Sequence, residues 1–206
     1  MNTLYIKFFR ALLLGLVITL TGCSTMQSPF DRAAVAPNNK PLSSTARSSQ
    51  LSHLESWKTS GSVGITFNGK TDIGTFVWRQ DGLAYDFRTY GPLNAASVRI
   101  EGRPGIATLW KDVNTPRSAA TPEALMRQEL GWFLPLSNFR FWSRGLAAPG
   151  VVGAKRYDQF GHLQLLQQQG WTINYQRYQA VGNIDLPRNV VMTHGDLRVK
   201  IIFKQW

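Results

Sequence analysis

The chain of 206 residues has a single cysteine, Cys23, so no internal disulfide can hold the fold. It has only three histidines, His53, His162 and His194, in three separate segments. None is paired at the helical or hairpin spacing of a metal site, and each is expected at the surface. No Gly-x-Ser-x-Gly nucleophile motif occurs. Glu123 and Glu129 lie six apart, a spacing that does not stack two carboxylates on one helical face. The chain is therefore not expected to be an enzyme or to carry a metal or cofactor. Lys and Arg outnumber Asp and Glu by 23 to 12, a net charge of +11, yet they form no basic run. Long apolar runs are also missing. Ala11–Leu20 has ten residues, against about 20 for a membrane-spanning helix.

What is present begins at the N-terminus. Lys7 and Arg10 precede the short apolar run, the pattern of a secretory signal over residues 1–22. Leu20-Thr21-Gly22-Cys23 resembles the bacterial lipobox, in which the Cys sulfur receives a diacylglycerol and cleavage falls just before it. Lipidation at Cys23 would account for a lone cysteine in an exported chain. Ser24 follows where an Asp would favour retention at the inner membrane, so the outer membrane is expected. Loss of the signal leaves 21 basic residues against 12 acidic, a charge of +9. In an exported protein that charge fits an anionic membrane surface, an acidic protein partner or solubility alone, not nucleic acid. Residues 23–47, rich in Ser, Pro, Ala and Asn, read as a flexible tether. The folded domain is expected over 48–206.

A short helix is expected over Ser48–Trp57, followed by consecutive antiparallel strands from Gly61. Val63, Ile65 and Phe67 alternate with polar or small residues, and Asn68-Gly69 makes a hairpin turn. Phe76 and Trp78 share one face of the return strand, opposite Thr75, Val77 and Arg79. Asp81-Gly82 turns the chain, and Leu83, Tyr85 and Phe87 alternate in the next strand. Tyr90-Gly91-Pro92-Leu93-Asn94 forms a loop before Val98–Ile100, and Ile106–Trp110 is a further strand. Thr121 caps a helix with Pro122 at its first position, Ser137 caps a second over Asn138–Arg144, and Gly145 stops it. Strands resume near Lys155, with alternation at Leu163–Leu165, Trp171–Tyr175, Val190–Met192 and Leu197–Phe203. The expected fold is mainly β, with about ten or eleven short antiparallel strands and a helical insert between residues 121 and 144.

One sheet face and the insert are both rich in aromatics. Two readings of that face stand: a solid hydrophobic core, or an apolar cavity closed by the helices, suited to a hydrocarbon ligand. On the cavity reading Phe67, Phe76, Trp78, Tyr85, Phe87 and Trp110 line the concave face, with Leu125, Trp132 and Phe133 from the lid. On the solid-core reading the chain is a structural or assembly-factor lipoprotein that binds protein only. A lipid-modifying enzyme is the third and weakest reading.

Leu20-Thr21-Gly22-Cys23, Gly61, Phe76-Val77-Trp78, Gly91-Pro92-Leu93-Asn94, Leu134-Pro135-Leu136 with Phe141-Trp142 and Gly145-Leu146, and Leu197–Ile201 occur in the order of the LolB family. The chain resembles these outer-membrane lipoprotein receptors over nearly its whole mature length. The resemblance implies an incomplete antiparallel β-barrel closed by a short helical lid around an apolar cavity. It implies a monomeric receptor that accepts the acyl chains of lipoproteins from the periplasmic carrier LolA. The receptor then inserts them into the inner leaflet of the outer membrane. It also implies a membrane-insertion loop with an exposed leucine, here Leu93 after Pro92. Gly91 and Asn94 exchange the residue types of the family pattern, and both still suit a tight turn.

Overall fold

The computed structural model describes residues 37–38, 40–91, 97–111 and 114–206. Cys23, Pro92 and Leu93 lie outside the described residues. Eleven strands form one antiparallel sheet: β1 (Ser56–Phe67), β2 (Lys70–Asp81), β3 (Ala84–Tyr90), β4 (Ser97–Arg103), β5 (Ile106–Trp110), β6 (Arg117–Ala119), β7 (Val152–Tyr157), β8 (Leu163–Gln168), β9 (Trp171–Val181), β10 (Ile184–His194) and β11 (Leu197–Gln205). Their order is β6-β5-β4-β3-β2-β1-β11-β10-β9-β8-β7, so the chain's last strand pairs with its first and the sheet stays open between β6 and β7. This is the incomplete barrel expected from the sequence.

Three helices accompany the sheet among the described residues: α1 (Ser44–Ser52), α2 (Pro122–Leu130) and α3 (Leu136–Trp142). None is long and apolar enough to cross a membrane. The first helix is shifted from its expected place, because Ser43 accepts a bond from the Ala46 N–H and fixes the start. It ends at Ser52, and Trp57 belongs to β1, where it pairs with Gln80. Helix α1 thus takes up part of the 23–47 segment and buries Leu51 against Leu146 and Leu186. The second helix follows expectation: Thr121 Oγ1 accepts the Ala124 N–H, Pro122 opens the helix, and Gly131 ends it at φ 78°. Ser137, by contrast, does not cap α3. The preceding position is Pro135, with no side-chain cap, and the Ser137 N–H donates to Glu123 Oε1 of α2 instead.

Two strand boundaries also differ. Leu83 does not join β3; it sits in the turn, 56 % exposed. Strand β10 begins at Ile184 and carries Pro187 within it, where the register against β9 shifts and no N–H is required. Gly61 lies inside β1, at a register shift against β11. A Cβ there would meet the Ile202 carbonyl oxygen at 1.9 Å, so the close strand approach requires glycine.

Strand register defines two ends. At one lie the starts of β1, β3 and β10 and the ends of β2, β9 and β11, together with α1; this is the α1 end. At the other lie Phe67, Tyr90, Ser97, Trp110, His194, Leu197 and Trp171, the open end. The connection carrying Leu93 joins Tyr90 to Ser97 there.

Candidate functional site

Alternation sorts the inward side chains. Along β1, β2 and β11 it turns Val63, Phe76, Trp78, Val199, Ile201 and Phe203 inward, and all are buried. Trp78 is fully buried, with ring centroids 5.0 Å from Phe139 of α3, 5.2 Å from Trp57 and 5.4 Å from Phe87. Phe203 meets Phe76 at 5.7 Å and Trp206 at 4.9 Å. The buried indole N–H groups of Trp78 and Trp142 are satisfied. Trp78 Nε1 donates to Gln80 Oε1 at 3.0 Å, and Gln80 Nε2 in turn donates to the Gly82 and Ala84 carbonyls. Trp142 Nε1 donates to Gln168 Oε1 at 2.9 Å, and Tyr175 donates to the Trp142 carbonyl, which fixes α3 against β8 and β9.

The nine side chains expected to line one concave surface therefore fall into three groups. Phe76, Trp78, Phe87 and Leu125 are buried in the core. Phe67, Tyr85, Trp132 and Phe133 are only half-buried against it. Trp110 is on the other face of the sheet. It pairs with Arg99, one position out of step with the inward pair Ile100 and Leu109, and the Arg99 guanidinium lies 5.0 Å from its ring. Arg99 in turn bonds Asp86 and Glu101 on that outer face. The expectation that Trp110 faces inward counted it with its aromatic neighbours; a single step of register turns it outward.

Phe67, Trp132 and Phe133 of the half-buried group gather at the open end, whereas Tyr85 lies at the start of β3, at the α1 end. Ile65 and Phe67 close β1, Val98 opens β4, and Leu130 ends α2. Trp132 and Phe133 follow, with Phe133 6.2 Å from the His194 ring at the end of β10. Arg127 also lies over Phe133, 4.4 Å from its centroid. Lys111 pairs with Glu129 and holds the end of α2 to β5. At this apolar end, beside the end of α2, the inward side chains are only half-buried, in contrast to the packed cluster. Ile65, Val98 and Leu130 were not singled out from the sequence as lining, although the alternation through Val63, Ile65 and Phe67 carried the signal.

The sequence reading also missed a buried polar network. His162, expected at the surface, is 2 % exposed. Its ring nitrogens lie 2.9 Å from Asp158 Oδ2 and 3.0 Å from Asp185 Oδ2, and its ring stacks on Tyr178 at 4.4 Å. Burial alone would raise the Asp158 pKa, but hydrogen bonds from the His162 ring and from the His162 and Phe160 N–H groups outweigh it and lower the value. Asp185 also receives the Asn38 N–H at 2.8 Å and faces the buried Arg47 at 3.8 Å. With the imidazole enclosed on both edges and one face, the network braces Asn38 and Arg47 against Asp185 of β10.

The comparisons with known proteins bear on the whole domain. The family model described as "Outer membrane lipoprotein LolB" matches residues 55–206. The chain belongs to the LolB family. An outer-membrane lipoprotein LolB of Coxiella burnetii is 39 % identical over 205 residues, covering 100 % of this chain and 95 % of its own length. LolB of Pseudomonas savastanoi pv. phaseolicola is 35 % identical, covering 96 % and 95 %. LolB of Chromohalobacter salexigens is 35 % identical, covering 94 % and 88 %. The LolB match takes in every strand and all of the half-buried open-end residues named above.

Proposed function

We propose that the chain is an outer-membrane-anchored receptor that accepts lipoproteins from the periplasmic carrier LolA and inserts them into the inner leaflet of the outer membrane. The observation that carries this reading is membership of the LolB family across residues 55–206. The protein then works as a monomer, anchored through acyl chains on Cys23 and facing the periplasm. Two or more acyl chains make such anchoring stable, since each buried CH₂ contributes about 0.8 kcal/mol. No catalytic step is required, because transfer runs downhill in hydrophobic burial from carrier to receptor to bilayer.

In this reading the acyl chains of the client enter at the open end, against Phe67, Trp132 and Phe133. Helix α2 and the Leu130–Phe133 segment act as the lid. The deeper aromatic cluster supports the site rather than forming its surface. Arg198, Lys200 and Lys204 alternate along the exposed face of β11 and offer an acidic face of the carrier a complementary surface. Leu93, on the connection at the open end, brings that end against lipid.

The test is competition. A fluorescent apolar probe bound to the purified chain should be displaced by a diacylated peptide and not by the same peptide without its acyl chains. Cys23→Ala should yield a protein free of membranes that still binds the probe. A chain that takes up no probe and binds only the unacylated protein portion would instead be an assembly factor with a solid core.

A further inference from the structure

Helix α3 and the turn after it carry two arginines, Arg140 and Arg144, beside one aromatic ring. The Arg140 guanidinium lies 4.6 Å from the Phe141 centroid and that of Arg144 5.7 Å. Arg144 is only 6 % exposed. Its Nε donates to the Arg140 carbonyl at 3.0 Å, and its Nη1 donates to the carbonyls of Leu51 in the last turn of α1 and Leu54 just past its end. All of these acceptors are neutral. Among the described residues neither arginine has a carboxylate within 4.0 Å, and the Arg140 Nε is buried without a hydrogen-bond partner. Burial, and then repulsion from Arg140, push the Arg144 pKa down, against a smaller upward pull from the Glu55 carboxylate. A buried cation with a second cation beside it and no carboxylate in direct contact is costly, and an anion between the two would offset that cost.

Both side chains open onto a pocket of about 270 Å³. Its other walls include Trp57 and Leu83, which are apolar, and Gln80 and Glu55. The Arg140 guanidinium and the Nη2 group of Arg144, whose Nε and Nη1 are taken by carbonyls, present donors to different oxygens of a tetrahedral group, whereas a planar carboxylate is matched by one fork alone. The pocket is at the α1 end, opposite the apolar end assigned to acyl chains, and it is the end at which Asn38 and Arg47 meet Asp185 of β10. We infer that the Arg140–Arg144 pocket binds a phosphate group, with Trp57 and Leu83 against the organic part of the molecule that bears it. The glycerophosphate of a phospholipid headgroup and free inorganic phosphate share this chemistry. The site is independent of the acyl-receptor reading and stands or falls separately.

Calorimetric titration of the full chain with inorganic phosphate, and in parallel with glycerophosphoglycerol, tests it. The second probe carries the headgroup without acyl chains, so it cannot occupy the apolar end. Saturable binding is expected, weakened about tenfold or more by Arg140→Gln. Glu55→Gln removes the one carboxylate lining the pocket and should tighten binding. Tighter binding of glycerophosphoglycerol than of phosphate identifies a headgroup site; equal or weaker binding identifies a soluble phosphate. No saturable binding of either probe at millimolar concentration overturns the inference. So does binding that both Arg140→Gln and Glu55→Gln leave unchanged. If Glu55 is instead the partner of Arg144, Glu55→Gln will lower the melting temperature without improving phosphate binding, which also overturns it.

Discussion

The two ends of the barrel interior are built from the same kind of strand and end differently. Toward the α1 end, Trp57, Trp78, Phe139, Phe203 and Trp206 form a chain of ring contacts, each step between 4.9 and 6.4 Å. At the open end Phe67, Trp132 and Phe133 are half-buried and follow the last turns of β1 and α2. The alternation of Val63, Ile65 and Phe67 in β1 runs unbroken from one regime into the other. What changes is the cover. Helix α3 inserts Phe139 into the first region, whereas the second is covered by the non-helical stretch between α2 and α3. The sharpest way to break this contrast is Trp78→Ala. The indole has no exposure, so truncation should cost about 3–5 kcal/mol in urea denaturation. If Trp78→Ala melts like the wild type and loses acyl binding instead, the deep region is the cavity and the division is wrong.

A second comparison is polar. At the α1 end the Asp158–His162–Asp185–Arg47 network is enclosed, and Asp158 Oδ1 accepts N–H groups of Phe160 and His162, both at 2.9 Å. Asp158→Asn should cost about 1–2 kcal/mol at neutral pH, as expected for hydrogen bonds to a charged acceptor. The pKa of Asp158 is lowered in the folded state, so its contribution is present above the ordinary carboxylate value of 3.8 and disappears as pH falls through the lower folded value. Wild type and Asp158→Asn should therefore differ in denaturation midpoint at pH 7 and converge below that range. A gap that widens on acidification would mean that another group controls the network.

Much of this was legible in the sequence for identifiable reasons. Asn68-Gly69 dictated the β1–β2 turn, since both residues take positive φ there, 49° and 74°. Phe76, Trp78 and Phe87 were placed on one face by period two alone. The errors came where one more term mattered. Trp110 is aromatic but one register step outward. Leu83 fits the period of β3 but is taken by the turn. His162 stands next to Gly161 in a turn-like stretch, and only tertiary pairing with Asp185, 23 residues on, draws it inside. Period two could not say which part of an inward face is filled and which is left half-open, because that depends on where a distant helix lands.

Truncation at the open end should separate binding from stability. Phe133 is half-buried, so Phe133→Ala should cost about 1 kcal/mol, less than full burial of such a side chain is worth. Probe affinity should nevertheless fall by about tenfold if the ring is part of the acyl-binding surface. Measured together, the melt and the binding curve should rank Phe133→Ala opposite to Trp78→Ala. Equal ranking by both measurements would remove the distinction between the two ends.

The smallest effect on stability is expected from Leu93→Glu. Leu93 follows Pro92 and is flanked by Asn94 rather than by another apolar residue, so on sequence grounds the substitution removes no run of core positions. Single exposed apolar side chains are common, and a membrane role for Leu93 is proposed only from the resemblance to the LolB family. One leucine inserted into lipid is worth roughly 1.5–3 kcal/mol, too little to anchor a protein. It suffices to orient a domain that a lipid tether already holds at the interface, because it then need only favour one end over the other. Tyr90 and Ser97, which bound the connection, lie at the open end, so a leucine there would favour contact through the end where an acyl chain would leave. Leu93→Glu should accordingly melt like the wild type, accept acylated peptide from the carrier normally, and deliver it to liposomes more slowly. Delivery at the wild-type rate would separate the loop from the membrane step, and normal delivery with impaired acceptance would move its role to the carrier.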